Sequence, residues 1–293
     1  MDRGRGRVVV GVADDDAEAG LMYAADEAGR RGCDVHLVHV LHHVYAGTPD
    51  LAELQLVGDE LRAAGSQVLE RAEARTRVLL GPTEHAVTSE LLHGPVAPTL
   101  VGCSDRADLV VLQRPAHKGR IHVFSVVNGV AARAHAPVVV VPATWRPGPT
   151  PGPLMVGVED SEASIEVCRA GLEEGRRRGV PAELLHGWWH SDRDDQLLAG
   201  PAGYEQSRIE RARIDRELAP VLTTYDDVVG HVRVVHERPA DLLVAASRTA
   251  GLVVVGRHHT SLPFGSHLGP IVRAVLWGSE CPVMVVDPRR SRR

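Results

Sequence analysis

At 293 residues the chain is long enough for about two domains of ordinary size, each able to bury its own core. Hydrophobic residues make up 44% and aromatics only 3%, so the core is expected to be aliphatic, which argues against aromatic platforms for single-stranded nucleic acid. The formal net charge of −5 supplies no general attraction to nucleic acid or to an anionic membrane, and neither is expected as a partner.

The Arg/Gly-rich start leads into a short apolar run at residues 8–13, ended by Asp14, Asp15 and Asp16. That run is too short and wrongly flanked for a signal peptide, and reads as a first strand. A helix over 18–32 and a second strand over 35–41 follow. Leu54, Val57, Leu61, Ala64 and Val68 then recur every three or four residues, which predicts an amphipathic helix. Strands are expected at 85–91, 109–113 and 138–141, with helices before and between the last two. Residues 142–153 are dominated by proline and glycine and sustain neither helix nor ladder. The expected organisation is therefore a domain at 7–142, a linker at 143–153 and a domain at 154–287. In the second half, strands are expected at 154–158, 182–187, 232–236, 252–256 and 283–286.

Short aliphatic strands without polar alternation are those covered on both faces of a parallel sheet. Their alternation with helices predicts right-handed βαβ units and a three-layer α/β sandwich. No apolar stretch approaches the length that crosses a bilayer. Cys33, Cys103, Cys168 and Cys281 form no Cys-x-x-Cys pair and read as free thiols of a reducing compartment, so a cytoplasmic location is expected.

The halves repeat one another at an offset of roughly 145 positions. Val10-Gly11-Val12 matches Val156-Gly157-Val158, and Leu37-Val38-His39 matches Leu184-Leu185-His186. Residues 93–112 lie without gaps over 236–255, bringing Ser104 to Ser247 and Ala107 to Ala250. Pro137 and its four valines match Pro282-Val283-Met284-Val285-Val286.

In an open parallel sheet, ligands bind beyond the carboxyl ends of the strands, where the winding reverses. In the second half two loops are expected there. One carries Val158, Glu159 and Asp160. The other opens with Gly256 and Arg257 and closes with Gly265, Ser266 and His267. Free backbone N–H groups, the Ser266 hydroxyl and a helix dipole would make a phosphate cradle. The other reading is that Gly265-Ser266 only turns the chain and caps a helix.

Several familiar chemistries are missing. A Walker A loop needs Gly-Lys-Ser/Thr, and the single lysine, Lys118, lies in His117-Lys118-Gly119. No Gly-x-Gly-x-x-Gly follows a strand, and no Gly-x-Ser-x-Gly occurs. The sixteen histidines include the adjacent pairs His42-His43 and His258-His259 but no His-Glu-x-x-His, so no metal site is expected. His39 and His186 recur at equivalent strand positions, which points to a structural role. Asp192, Asp194 and Asp195 read as a solvated loop. Trp188-Trp189 ends the second strand of the second half and lies either on the linker or along the crevice.

Val-Gly-Val at the first strand, Leu-Leu-His at the second, an aliphatic fourth strand ending in Gly256-Arg257, then Gly265-Ser266 and Cys281-Pro282-Val283-Met284-Val285-Val286 resemble the universal stress proteins. The resemblance covers both halves, from about Arg7 to Asp287. It implies two Rossmann-like, adenine nucleotide alpha hydrolase-like domains, each a five-stranded parallel sheet of order 3-2-1-4-5 with helices on both faces. It also implies pairing through the last strands, either between the two halves of one chain or in a homodimer. Some members bind ATP, with magnesium, through an Asp after the first strand and a loop Gly-x2-Gly-x9-Gly-Ser/Thr; others bind no nucleotide.

This sequence departs from that pattern. Glu159 stands in the Asp position, His259 replaces the second glycine, and five residues rather than nine separate it from Gly265. In the first half Ala13 replaces the Asp, Gln113-Arg114-Pro115 replaces the start of the loop, and Phe124-Ser125 replaces Gly-Ser. The expectation is a binding module, not an enzyme, with ATP or another adenine nucleotide in the second half only. Any hydrolysis would be slow and incidental, since no base or lysine is placed for phosphoryl transfer. The competing expectation is an interaction scaffold with both sites degenerate.

Overall fold

The computed structural model describes residues 6–13, 17–42, 51–115, 121–149, 151–159, 163–189, 201–257 and 268–289. The chain divides into two compact units, Met1–Pro147 and Gly148–Arg293.

The first unit runs β1 (Arg7–Gly11), α1 (Glu18–Arg31), β2 (Asp34–Leu41), α2 (Leu51–Leu80), β3 (Val87–His93), α3 (Val96–Cys103), β4 (Leu109–Arg114), α4 (Ile121–Arg133) and β5 (Val138–Pro142). The second runs β6 (Leu154–Gly157), α5 (Ala163–Arg178), β7 (Ala182–Trp188), α6 (Pro201–Thr224), β8 (Val229–His236), α7 (Pro239–Ala246), β9 (Leu252–Gly256), α8 (Pro270–Gly278) and β10 (Val283–Val286). The strand order is β3-β2-β1-β4-β5 in the first unit and β8-β7-β6-β9-β10 in the second, all parallel. Each order is the 3-2-1-4-5 arrangement that the resemblance implied.

Winding reverses between β1 and β4, and between β6 and β9. With right-handed crossovers, that reversal puts α1 and α2 on one face of the first sheet and α3 and α4 on the other. Because both faces are covered, successive residues of a central strand are all buried. Val8, Val9, Val10, Leu109, Val110 and Val111 are each no more than 1% exposed, which explains why these strands lack polar alternation.

Element boundaries differ from expectation at several ends, and three of the differences have a local reason. β3 starts at Val87 rather than 85 because the preceding turn is held by side chains: the His85 N–H donates to Thr83 Oγ1 at 2.9 Å and the Ala86 N–H to Asp34 Oδ1 at 2.9 Å. β8 starts at Val229 because Val229 pairs with Ala182 before the register shifts at Leu184. α8 starts at Pro270 with Gly269 in the cap position, whereas Ser266, the expected cap, lies outside the described residues. Proline fits the first helical turn, where its missing N–H leaves no bond unmade, and Gly269-Pro270 was the signal in the sequence.

The duplication extends to hydrogen-bonded and ion-paired polar groups. His39 Nδ1 donates to the Val12 carbonyl at 2.8 Å, and His186 Nδ1 to the Val158 carbonyl at 3.0 Å. Each ring ties the end of the second strand to the residue just beyond the first, which is the structural role expected. Ser104 Oγ donates to Val101 O and accepts from the His135 N–H, while Ser247 Oγ donates to Val244 O and accepts from the Glu280 N–H. Glu27, fully buried, holds Arg30 and Arg31, and Glu174 holds Arg177 and Arg178.

Two solution properties follow. His36 bonds Thr88 Oγ1 through Nδ1 at 2.8 Å and faces Glu90 through Nε2 at 3.4 Å. Burial, reinforced by Arg7 and opposed by Glu90, lowers its pKa from the ordinary value of about 6.5. The unfolded chain therefore takes up this proton more readily than the folded one. The contribution of His36 to stability is full above the unfolded value of about 6.5 and is lost as pH falls from there through the lowered value of the folded state. Urea unfolding at pH 7 and pH 5 should show a smaller drop in stability for His36→Gln than for the wild type.

All four cysteines are free. Burial pushes the Cys168 and Cys281 thiols up to about 12 and raises the half-buried Cys103 thiol. Since the thiolate is the nucleophile, Ellman's reagent at pH 8 should label the native protein slowly, Cys103 first, and all four thiols at once in denaturant. Rapid native labelling of Cys168 would contradict this burial.

No helix among the described residues is long and apolar enough to cross a membrane.

Candidate functional site

In the second unit the reversal of winding lies between β6 and β9. Leu154, Met155 and Val156 pair with Leu252, Val253 and Val254. Continuing that register places Val158 and Glu159 level with Gly256 and Arg257. The structure thus brings these four predicted residues to one crevice mouth. Asp160, Gly265, Ser266 and His267 lie outside the described residues, as do Asp14 to Asp16 and the Asp192–Asp195 cluster.

Val158 is buried, donating its N–H to the Leu185 carbonyl at 2.9 Å and accepting from His186 through its own carbonyl. Glu159 is held through its backbone: its N–H donates to Ser164 Oγ at 2.8 Å, and that hydroxyl donates to the Glu159 carbonyl at 2.5 Å. Ser164, in the first turn of α5, so ties the residue after β6 to the start of α5. Gly256 packs against α5, where a Cβ would come 2.5 Å from Val167 Cγ2. Its lack of a side chain is therefore a packing requirement.

The Arg257 N–H donates to Val286 O at 3.0 Å, and its guanidinium forms a buried ion pair with Asp287. Its charge is thus engaged at the end of β10, a partner that the loop pattern alone did not reveal.

In the first unit the corresponding place is built differently. Gln113 takes the place of Gly256, and its side-chain Oε1 accepts from the Gly20 N–H in the first turn of α1 at 2.9 Å. An amide oxygen thereby occupies a helix N-terminus that would otherwise offer its donors to an anion. Pro142 stands in the position of Asp287, and burial lowers the pKa of the Arg114 guanidinium. Trp145 packs edge-on against Tyr23 of α1, with ring centroids 5.5 Å apart.

Beside the second crevice lies a cavity of about 540 Å³ whose wall includes His186, Trp188, Trp189, Glu210, Arg213 and Arg238. The open alternative for Trp188-Trp189 therefore resolves toward a cavity wall. The indoles belong to a stack. Trp188 lies 4.0 Å from the His236 ring at 12°, Trp189 lies 5.3 Å from the other partner of that pair, His236, at 28°, and the Arg238 guanidinium is 5.2 Å from the Trp189 centroid. Sequence reasoning missed His236, because its place opposite Trp188 depends on the register of β8 against β7.

Glu210 is bound by Gln206 and Arg213. Indole faces with two guanidiniums against one carboxylate suit a planar ligand that carries negative charge. The volume lies within the range of small-molecule pockets. Among the described residues no group of three or more His, Cys, Asp or Glu is arranged to hold a metal ion.

Comparison with known proteins adds to this geometry. The model of the universal stress protein family matches residues 4–142 and again 152–287. A universal stress protein of Mycolicibacterium smegmatis is 31% identical over 288 residues, covering 96% of this chain and 97% of its own. A universal stress protein of Mycobacterium tuberculosis is 35% identical over 208 residues, a match that takes in 68% of this chain and 65% of that relative's length. Among solved structures, a universal stress protein from Archaeoglobus fulgidus covers 95% of this chain and 96% of its own at a TM-score of 0.66 and 14% identity, a likeness of fold.

Proposed function

Since the chain belongs to the universal stress protein family, with two tandem domains, we propose that it is a stress-response binding module that holds an adenine nucleotide, ATP or AMP, in its second unit. Its domains are 7–142 and 154–287, joined by 143–153. The ligand contacts are Val158, Glu159 and Asp160 on one rim and Gly256, Arg257, Gly265, Ser266 and His267 on the other. Magnesium would arrive with the triphosphate, held chiefly by phosphate oxygens and water. The observation that carries this reading is the aromatic, cationic cavity beside the β6–β9 crevice, with His186 shared between them.

The first unit is read as nucleotide-free, because Gln113 fills the start of α1. The protein is read as a binder rather than a catalyst. The free thiols fit a cytoplasmic setting, and the family resemblance supplies pairing of the two halves through β5 and β10, with or without a further homodimer. Sedimentation of the full chain separates those last two states.

One observation favours the second reading, a scaffold with both sites degenerate: Arg257 is already paired with Asp287, which removes a charge from the phosphate. Thermal melting with millimolar ATP, AMP and magnesium distinguishes the two. A rise of several degrees with either nucleotide is expected, in line with the stabilisation any native-state ligand confers. No rise with either would favour the scaffold.

A further inference from the structure

His186 is only 5% exposed, and its Nδ1 bonds the Val158 carbonyl at 3.0 Å. A carbonyl oxygen only accepts, so Nδ1 carries the proton, and in the neutral ring Nε2 holds the lone pair. That Nε2 is buried and makes no hydrogen bond, although His186 belongs to the cavity wall. Buried polar atoms nearly always find a partner, and an orphan in a cavity wall takes it from water or from a ligand.

The first unit shows the contrast. His39 makes the same Nδ1 bond to Val12, and there α2 approaches the ring at Gly65. A Cβ at Gly65 would come 3.1 Å from His39 Cδ2 and 2.9 Å from Leu91 Cδ1. In the second unit Glu210 and Arg213 of α6 line the same cavity as His186. The residues after the histidine also differ, Leu41-His42 in one unit and Trp188-Trp189 in the other.

From this we propose that His186 determines ligand specificity. Its Nε2 accepts a hydrogen bond from the exocyclic amino group of the base, while the base lies against the Trp188–Trp189 wall. This rests on the nucleotide reading of the second unit and names the chemistry it selects: a purine with an amino edge, in preference to the same ring without that donor. A site built around one hydrogen bond rejects the analogue lacking it, because the buried partner is left unpaired.

The test is calorimetric titration of the full chain with AMP and with purine riboside 5′-monophosphate, which differs only by loss of the amino group. Wild type should bind AMP at least about tenfold more tightly. His186→Asn keeps a donor for the Val158 carbonyl and removes the Nε2 acceptor, so it should bring the two ligands to within about twofold of each other. Equal affinities in the wild type would overturn the role of His186 and leave the nucleotide reading standing. A preference that survives in His186→Asn would also overturn it. If neither ligand binds, the nucleotide reading fails and this inference with it. Should the variant not fold, the wild-type comparison decides alone.

Discussion

Glu174→Ala is expected to lower the stability of the second unit by about 3–5 kcal/mol, as removal of one partner of a buried charge pair does. The Glu174 side chain is 2% exposed and binds Arg178, itself 7% exposed, at 2.8 Å as well as Arg177. Without the carboxylate, Arg178 stays in a poorly solvated position and loses this counter-charge. Glu27→Ala should act the same way in the first unit, where Glu27 is fully buried between Arg30 and Arg31. The control is Glu205→Ala. That residue and Arg208 are 58% and 65% exposed, so the loss should fall within about 1 kcal/mol. Urea unfolding midpoints read all three, and a loss at Glu174 no greater than at Glu205 would contradict the burial described.

Gly256→Gln is expected to destabilise by about 1–3 kcal/mol through overpacking, because the new Cβ meets Val167 Cγ2 at 2.5 Å. The duplicated fold also supplies the remedy. In the first unit the large and small residues are exchanged: Gln113 stands where Gly256 does, and Gly20 stands where Val167 does, with the Gly20 N–H on Gln113 Oε1. Installing Val167→Gly together with Gly256→Gln recreates that arrangement. The double variant should be more stable than the sum of the two single losses predicts, with a coupling of at least about 1 kcal/mol. Strict additivity in a double-mutant cycle would show that the two positions do not face each other. The same double variant should bind ATP poorly, since it copies the occupied helix start of the unit read as nucleotide-free.

Much of the architecture was legible because it rests on local signals. Valine runs bounded by Gly and Pro, and four matched blocks at a near-constant offset, identify two parallel α/β units. The buried carboxylates were also legible in principle. Glu27 precedes Arg30 and Arg31, and Glu174 precedes Arg177 and Arg178, at the three- and four-residue spacing that puts partners on one helix face. What such spacing does not reveal is burial, which depends on how the helix docks. The start of α8 was misplaced because Gly265-Ser266 resembles a cap, whereas Gly269-Pro270 supplies the break. The Trp188–His236–Trp189–Arg238 stack was not legible, since it joins the end of β7 to the end of β8 through a register that only the folded sheet fixes. Arg257 illustrates the same limit. In sequence it is a cation in a loop, and in the fold it is the partner of Asp287.

The asymmetry between the two units is the core of the functional account, and binding stoichiometry reads it most directly. Isothermal titration of ATP with magnesium should give one site per chain in the wild type, unchanged in Phe124→Trp and abolished in Gly265→Trp, with both variants melting near the wild-type temperature. Two sites per chain, none, or binding that survives Gly265→Trp would contradict it.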